Sequence, residues 1–273
     1  MLHEIGLTDF YFKELLTKSP DYLLLLINGI CNLNLKKEDI TLGNTEERDG
    51  VTFKTIAYDI KVVSQDMHID IEAQKNIVNT GKNEYNDYIY DISRAIYYLC
   101  MLHSRSYDYR EKGYTKKKSI VIFLYRYDIA GEEIIQKTCL HNTSRDIHYD
   151  DIVLYSISLE KISKDSKMEL HRALKLLTET DLDSYKNDES RIVKEAADLL
   201  EGYDKTEEAE NLRFQRQKEE YEKGIMLQTA KDEGKEEKLI ENIKTMSSNG
   251  ASNEMISKLL NLDISYVNEV LKK

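Results

Sequence analysis

The sequence predicts an α/β or α+β domain followed by a helical extension. Three observations carry this. The hydrophobic period changes from 3.6 to 2 after residue 50. Strand-like and helical segments then alternate to about residue 185. Residues 190–246 lack β signals and are dense in Glu, Lys, Arg and Gln.

Residues 8–18 put Phe12, Leu15 and Leu16 at helical spacing. Ser19 predicts an N-cap, with Pro20 opening a leucine-rich helix that runs from Asp21 to about Leu33. Residues 43–50 are polar turn material. Strands are expected over Thr52–Ser64 and Met67–Gln74, joined at Gln65-Asp66 as a β-hairpin. Alternation puts Tyr58, Ile60 and Val62 on one face of the first strand, with Asp59 and Lys61 on the other. In the second, Ile69, Ile71 and Ala73 oppose Asp70, Glu72 and Gln74.

Tyr88, Ile92, Ala95, Ile96, Leu99 and Leu102 predict a helix over Glu84–Ser104, and Ser119–Tyr125 reads as a central buried strand. Two more strands are expected at Glu133–Thr138 and Asp151–Leu159. Long solvent-washed helices follow, interrupted at most by Gly224 and Gly234. Ser247–Gly250 is a helix stop and Ser252 a restart cap. Met255, Ile256, Leu259 and Leu260 form an apolar face, and Ser265 caps a last helix to Lys272. The expected parts are 1–185, 186–246 and 247–273.

The chain has 273 residues, 41% hydrophobic and 33% charged, with net charge −11. Its apolar runs, such as Leu23–Ile27 and Ile120–Tyr125, are far shorter than the roughly 20 residues of a membrane helix. Met1–Phe12 carries Glu4 and Asp9 and has no basic stretch before an apolar one, so no secretory signal is read there. A cytoplasmic protein without membrane contact is expected. Cys31, Cys100 and Cys139 are odd in number and form no CxxC pair, which points away from a disulfide framework or a structural zinc site. The acidic balance weakens passive nucleic-acid binding. Residues 186–242, however, hold 11 bases against 17 acids, a net of −6 that equals the net of residues 1–185.

Phosphate-loop, dinucleotide, nucleophile-elbow and HExxH patterns are absent, and no two of the six histidines share a ligand spacing on one helix. The hairpin remains. Asp59 faces Asp70, Glu72 and Gln74 across two strands, and clustered carboxylates are stable together when they share a cation. Oxygen ligands favour a hard ion such as Mg²⁺. That ion leaves positions for water and a phosphate oxygen, as phosphodiester hydrolysis requires. The alternative is a solvated face neutralised by Lys61.

Arg105, Arg110, Lys112, Lys116, Lys117 and Lys118, with Tyr107, Tyr109 and Tyr114 between them, form the best phosphate-tracking patch; a solvated loop is the competing reading. The terminal helices have helix-turn-helix dimensions and a thin basic face of Lys258, Lys272 and Lys273. Packing or self-association, giving a homo-oligomer, fits them equally.

Several stretches, in order, resemble the Rpn-type recombination-promoting nucleases, or putative transposases, of the PD-(D/E)XK nuclease superfamily. They are Asp9-x-x-Phe12-Lys13, Lys54-x4-Asp59-Ile60, Ile71-Glu72-x-Gln74, Arg94-x-x-Tyr97-Tyr98 and Ile120–Phe123. Asp232–Glu237, Asn249-Gly250-Ala251 and Ile256–Leu262 continue the series to the C-terminus. The resemblance implies a restriction-endonuclease-like mixed sheet flanked by helices. It also implies metal-dependent DNA cleavage linked to recombination or transposition-like processes.

By that resemblance Asp59 and Glu72 hold Mg²⁺ or Mn²⁺. Gln74 stands where the wider superfamily has lysine, and a neutral amide stabilises phosphate charge only weakly. Lys61 is the expected replacement charge. Asp70 and Asp9 are supporting carboxylates, Asp9 with helix capping as its other reading. Arg94 reaches the acids or a phosphate, or else pairs with Asp91 or Asp87. The alternative function is a decayed nuclease fold that binds DNA or a protein partner.

Overall fold

The structure, a computed structural model, describes Leu7 and residues 9–48, 55–76, 89–105 and 117–272. It is a mixed α/β chain in two compact units, Met1–Lys205 and Thr206–Lys273. The first unit therefore extends past the expected boundary at 185. Helix α5 (Arg191–Asp204) buries Val193, Ala196, Ala197 and Leu200 and packs against α1 (Asp9–Lys18), α2 (Pro20–Cys31) and α4 (Glu169–Leu176). An amphipathic helix has its place where its apolar stripe is covered, and here that is the first unit.

Helix α2 starts at Pro20, whose missing N–H leaves no donor to satisfy. Ser19 occupies the N-cap position, but its hydroxyl makes no capping bond. The helix buries Tyr22, Leu23, Leu24, Leu26, Ile27 and Ile30, and the left-handed residue Asn32 (φ 52°) ends it.

The expected first strand is broken. Residues 55–57 (β3, Thr55–Ala57) pair with β2 (Glu46–Arg48), which lies inside the segment read as turn, and β4 runs separately over Ile60–Ser64. Residues 52–54 lie outside the described part. The break at Tyr58-Asp59 also changes the phase. Ile60 and Val62 pair with Ile71 and Ile69 on one sheet face, while Tyr58 packs with the residues beneath α3 (Ile89–Ser104). Strand β5 covers Met67–Gln74 as expected.

The sheet has the order β1-β4-β5-β6-β8-β7, with β1 at Ile40–Leu42, β6 at Lys118–Tyr125, β7 at Ile135–Asn142 and β8 at Ile147–Ser158. The β5–β6 and β6–β8 pairs are parallel and the rest antiparallel. Helix α3 lies in the connection from β5 to β6. It covers one face, packing Ala95, Leu99 and Leu102 on Val121, Phe123, Tyr125 and Leu154. In β6 the seven residues after Lys118 are all buried, which explains its unbroken apolar sequence.

In the second unit, α6 runs unbroken over Glu207–Ser248, Gly224 and Gly234 included, and spans about 63 Å at the usual helical rise. Helices α7 (Asn253–Leu260) and α8 (Ile264–Lys272) join its last turns around Ile243, Ile256, Val267 and Val270. Met255 and Leu259, expected on the apolar face of α7, are instead more than half exposed. Ser252 caps α7 through Met255 N–H. For α8 the cap is Asp263, whose carboxylate accepts from Ser265 N–H at 2.8 Å, not Ser265. Among the described residues no helix is long and apolar enough to cross a membrane.

Candidate active site

Asp59 stands where β4 parts from β5. Tyr58 is fully buried and its N–H donates to Thr45 carbonyl at 2.9 Å, drawing the chain out of the ladder. Side chains complete the ladder at that point. Asp59 N–H donates to Glu72 Oε1 at 2.9 Å, and Ala73 N–H donates to Asp59 Oδ2 at 3.1 Å. The two acids expected to share a metal are thus held together by the backbone that carries them.

Arg94 comes down from α3. Its Nη2 donates to Glu72 Oε2 at 3.1 Å and its Nη1 to Gln74 Oε1 at 2.5 Å. The guanidinium lies 5.3 Å from the Tyr98 ring centroid and 5.5 Å from that of Phe123, two aromatic faces that fix its plane. Of its two expected roles, Arg94 takes the contact with the acids. Asp87 and the side chain of Asp91 lie outside the described part.

Gln74 is gripped at both ends, since its Nε2 donates to Asn76 carbonyl at 2.6 Å. The cation beside Gln74 is therefore Arg94 and not Lys61. The reason is strand direction: β4 runs antiparallel to β5, so moving from Asp59 to Lys61 moves back from Glu72 to Asp70. Lys61 pairs in register with Asp70, is nearly buried, and has its Nζ 5.6 Å from the Tyr58 ring centroid.

Sequence reasoning left Lys13 out of the site. Its Nζ lies 2.9 Å from Asp9 Oδ1 and 3.6 Å from Asp59 Oδ1. The available signal was Asp9 one helical turn earlier on the same face. Asp9 itself is the first residue of α1 and two-thirds exposed; it tethers Lys13.

Asp70 is the anomaly. It has no exposed surface, and among the described residues neither carboxylate oxygen has a hydrogen-bond partner. Burial pushes its carboxyl well above the usual range, and the charges of Glu72 and Asp59 add to this. Burial pushes Glu72 up to about 8, helped by Asp59 and opposed by Asp59 N–H and Arg94. Asp59 is raised by burial as well, against the pull of Ala73 N–H and Lys13. Three raised carboxyls on neighbouring strands form an all-oxygen donor set that is under-neutralised at Asp70. Oxygen donors of this kind suit a hard divalent cation, but as placed the three acids do not bring one oxygen each within 4.8 Å of the others.

The described members of the basic patch lie away from the acids. Lys118 pairs with Met67, five residues and about 17 Å along β5 from Glu72. Lys117 Nζ donates to Ser64 carbonyl at 2.9 Å. Arg105 lies just past the far end of α3 from Arg94. Arg110, Lys112, Lys116 and the three tyrosines lie outside the described part. The described bases around the acids are Lys13, Lys61 and Arg94. The histidines are also less scattered than their spacing suggests, because the β7–β8 hairpin sets His141 directly opposite His148.

Comparison with protein-family models, with curated proteins and with solved structures gave no match to this chain.

Proposed function

We propose that the first unit is a Mg²⁺- or Mn²⁺-dependent DNA endonuclease of the PD-(D/E)XK kind, resembling the Rpn-type enzymes of recombination. The observation that carries the reading is the buried carboxylate of Asp70, without a hydrogen bond among the described residues, on the same strand face as Glu72 and electrostatically coupled to Asp59. Bound there, the ion supplies Lewis-acid neutralisation of the scissile phosphate and a water of lowered pKa.

The chain's own residues do the remainder. Asp59, the most exposed of the three acids at 19%, presents its carboxylate to the solvent side. Glu72 and Asp70, whose carboxyls burial holds toward the protonated form, would supply negative charge from the interior once an ion is bound. Arg94 supplies the positive charge that lysine gives elsewhere in the superfamily, and Gln74 aims it by accepting from Nη1. A planar guanidinium lying against the Tyr98 and Phe123 rings and bonded to Glu72 and Gln74 would donate its remaining N–H groups toward a phosphate oxygen. Lys13 holds Asp59 in place from α1.

One observation favours a second reading, a decayed site in a binding protein. Both oxygens of Glu72 and of Asp59 already have protein partners, Arg94 and Lys13 among them. Plasmid nicking by the purified full chain with Mg²⁺, Mn²⁺ or EDTA separates the two. Cutting that needs metal and vanishes in both Asp59→Ala and Glu72→Ala is the expected result. No cutting by folded wild type with either metal favours the binding protein. Cutting that survives both substitutions means that other acids carry the reaction.

A further inference from the structure

We propose that the tip of the β7–β8 hairpin is a second metal site, for Zn²⁺ or a similar borderline-soft transition ion, built from His141, Asp146 and His148 with Cys139 beside them. It lies apart from the carboxylate cluster and does not depend on the nuclease reading. His141 and His148 are direct cross-strand partners, and their rings lie parallel, 4.1 Å apart with 4° between planes. Asp146, in the turn between them, has a left-handed backbone (φ 52°) and brings Oδ1 to 2.9 Å from His141 Nε2. Cys139 Sγ lies 3.7 Å from His148 Nδ1.

The spacing suits one ion. One donor atom from each of His141, Asp146 and His148 falls within 4.8 Å of the others. With bonds of about 2.0–2.3 Å, adjacent ligands of tetrahedral Zn²⁺ stand about 3.3–3.6 Å apart. The observed pairs at 2.9 and 3.7 Å bracket that edge, and the two parallel rings must turn toward each other to aim both in-plane lone pairs at one ion. The donors also set the ion's class. Imidazole and thiolate select Zn²⁺, Co²⁺ or Ni²⁺, whereas Mg²⁺ prefers oxygen. The three principal ligands are exposed, so they surrender little burial on binding and an ion reaches them freely.

The position gives the site a consequence. Strand β7 is a sheet edge, and its register with β8 shifts between Cys139 and Leu140. An ion held by His141 and His148 would fasten the hairpin beyond that shift.

The test uses untagged full-length protein stripped with EDTA and titrated with Co²⁺. The expected result is saturable visible absorption of tetrahedral intensity, displaced by Zn²⁺ but not by excess Mg²⁺. His141→Ala and His148→Ala should each weaken Co²⁺ binding by more than the roughly 10- to 100-fold that loss of an outer-shell partner costs. Cys139→Ser should remove any sulfur-to-cobalt band and keep Co²⁺ bound. Asp59→Asn combined with Glu72→Gln should leave the spectrum unchanged, which separates this site from the carboxylate cluster. Circular dichroism confirms that each variant is folded. Absence of a tetrahedral spectrum in wild type overturns the proposal, as does equal Co²⁺ affinity in wild type and both histidine variants.

Discussion

Without a divalent ion, the protein should lose stability as the pH rises from about 4.5 to about 8. The group responsible is Glu72, whose carboxyl burial pushes up to about 8 from an ordinary value of 4.5. In that interval the folded chain binds more protons than the unfolded one, so the slope of unfolding free energy against pH is negative. The stability is fully present below 4.5 and is lost as pH passes through the folded value. At 1.36 kcal/mol per pKa unit the ceiling is about 5 kcal/mol, a large share of the 5–15 kcal/mol that holds a typical domain together.

Asp59 and Asp70 shift in the same direction and deepen the trend. The exposed acids held low by nearby partners, Asp150, Asp183 and Glu201, respond only below about 4.5 and leave the window clear. The assay is urea unfolding in EDTA at pH 5, 6, 7 and 8, repeated with Glu72→Gln and with Mg²⁺. The wild-type midpoint should fall with pH, Glu72→Gln should flatten the fall, and Mg²⁺ should restore the midpoint most at pH 8. A wild-type midpoint that rises over this range, or a slope that Glu72→Gln leaves intact, refutes the reasoning.

Other changes probe other links. Arg94→Ala should lower metal-dependent cleavage about 10²- to 10³-fold, as removal of a preorganised charge donor does, measured as single-turnover nicking; Arg94→Lys should recover little, because lysine cannot reach Glu72 and Gln74 as a planar fork. Tyr22→Phe should cost about 1–2 kcal/mol in denaturant unfolding, since it strips the buried carbonyl of Ala173 of its 2.6 Å hydrogen bond. Ser252→Ala should cost the second unit about 1 kcal/mol through loss of the α7 cap, read from hydrogen exchange in α7 and α8.

What the sequence disclosed depended on the range of the interactions involved. Strand β5 was legible to the residue because Met67–Gln74 alternates without interruption after a tight turn. The break at Asp59 was not. Alternation continues through it in the sequence, and only the pairing of β3 with β2 shows that the ladder ends there. Strand β2 is Glu-Glu-Arg, which carries no strand signal of its own and is strand by pairing alone.

At the site, Asp59 and Glu72 were readable from spacing together with resemblance. Arg94 was readable as a choice between two roles, and α3, packed on β6 and β8, brings it to Glu72 and Gln74. The pairing of Lys61 with Asp70 and of His141 with His148 was not legible, because both follow from antiparallel register rather than from spacing along one element.

The parallel pairs at the centre of the sheet also set a timetable for the newly made chain. Strands β5, β6 and β8 join only after the polypeptide has been made through Ser158, and the bond from Tyr22 to Ala173 spans 151 residues. The leucine-rich α2 thus emerges well before α4 and α5, which pack on it. During synthesis at about 5–20 residues per second, that wait lasts roughly 7–30 seconds. The second unit has the reverse schedule: it emerges after the first, yet its helices meet through near neighbours in sequence and close quickly. Substitutions that make α2 stickier would therefore show first as aggregation during synthesis, before any loss of stability in the finished fold.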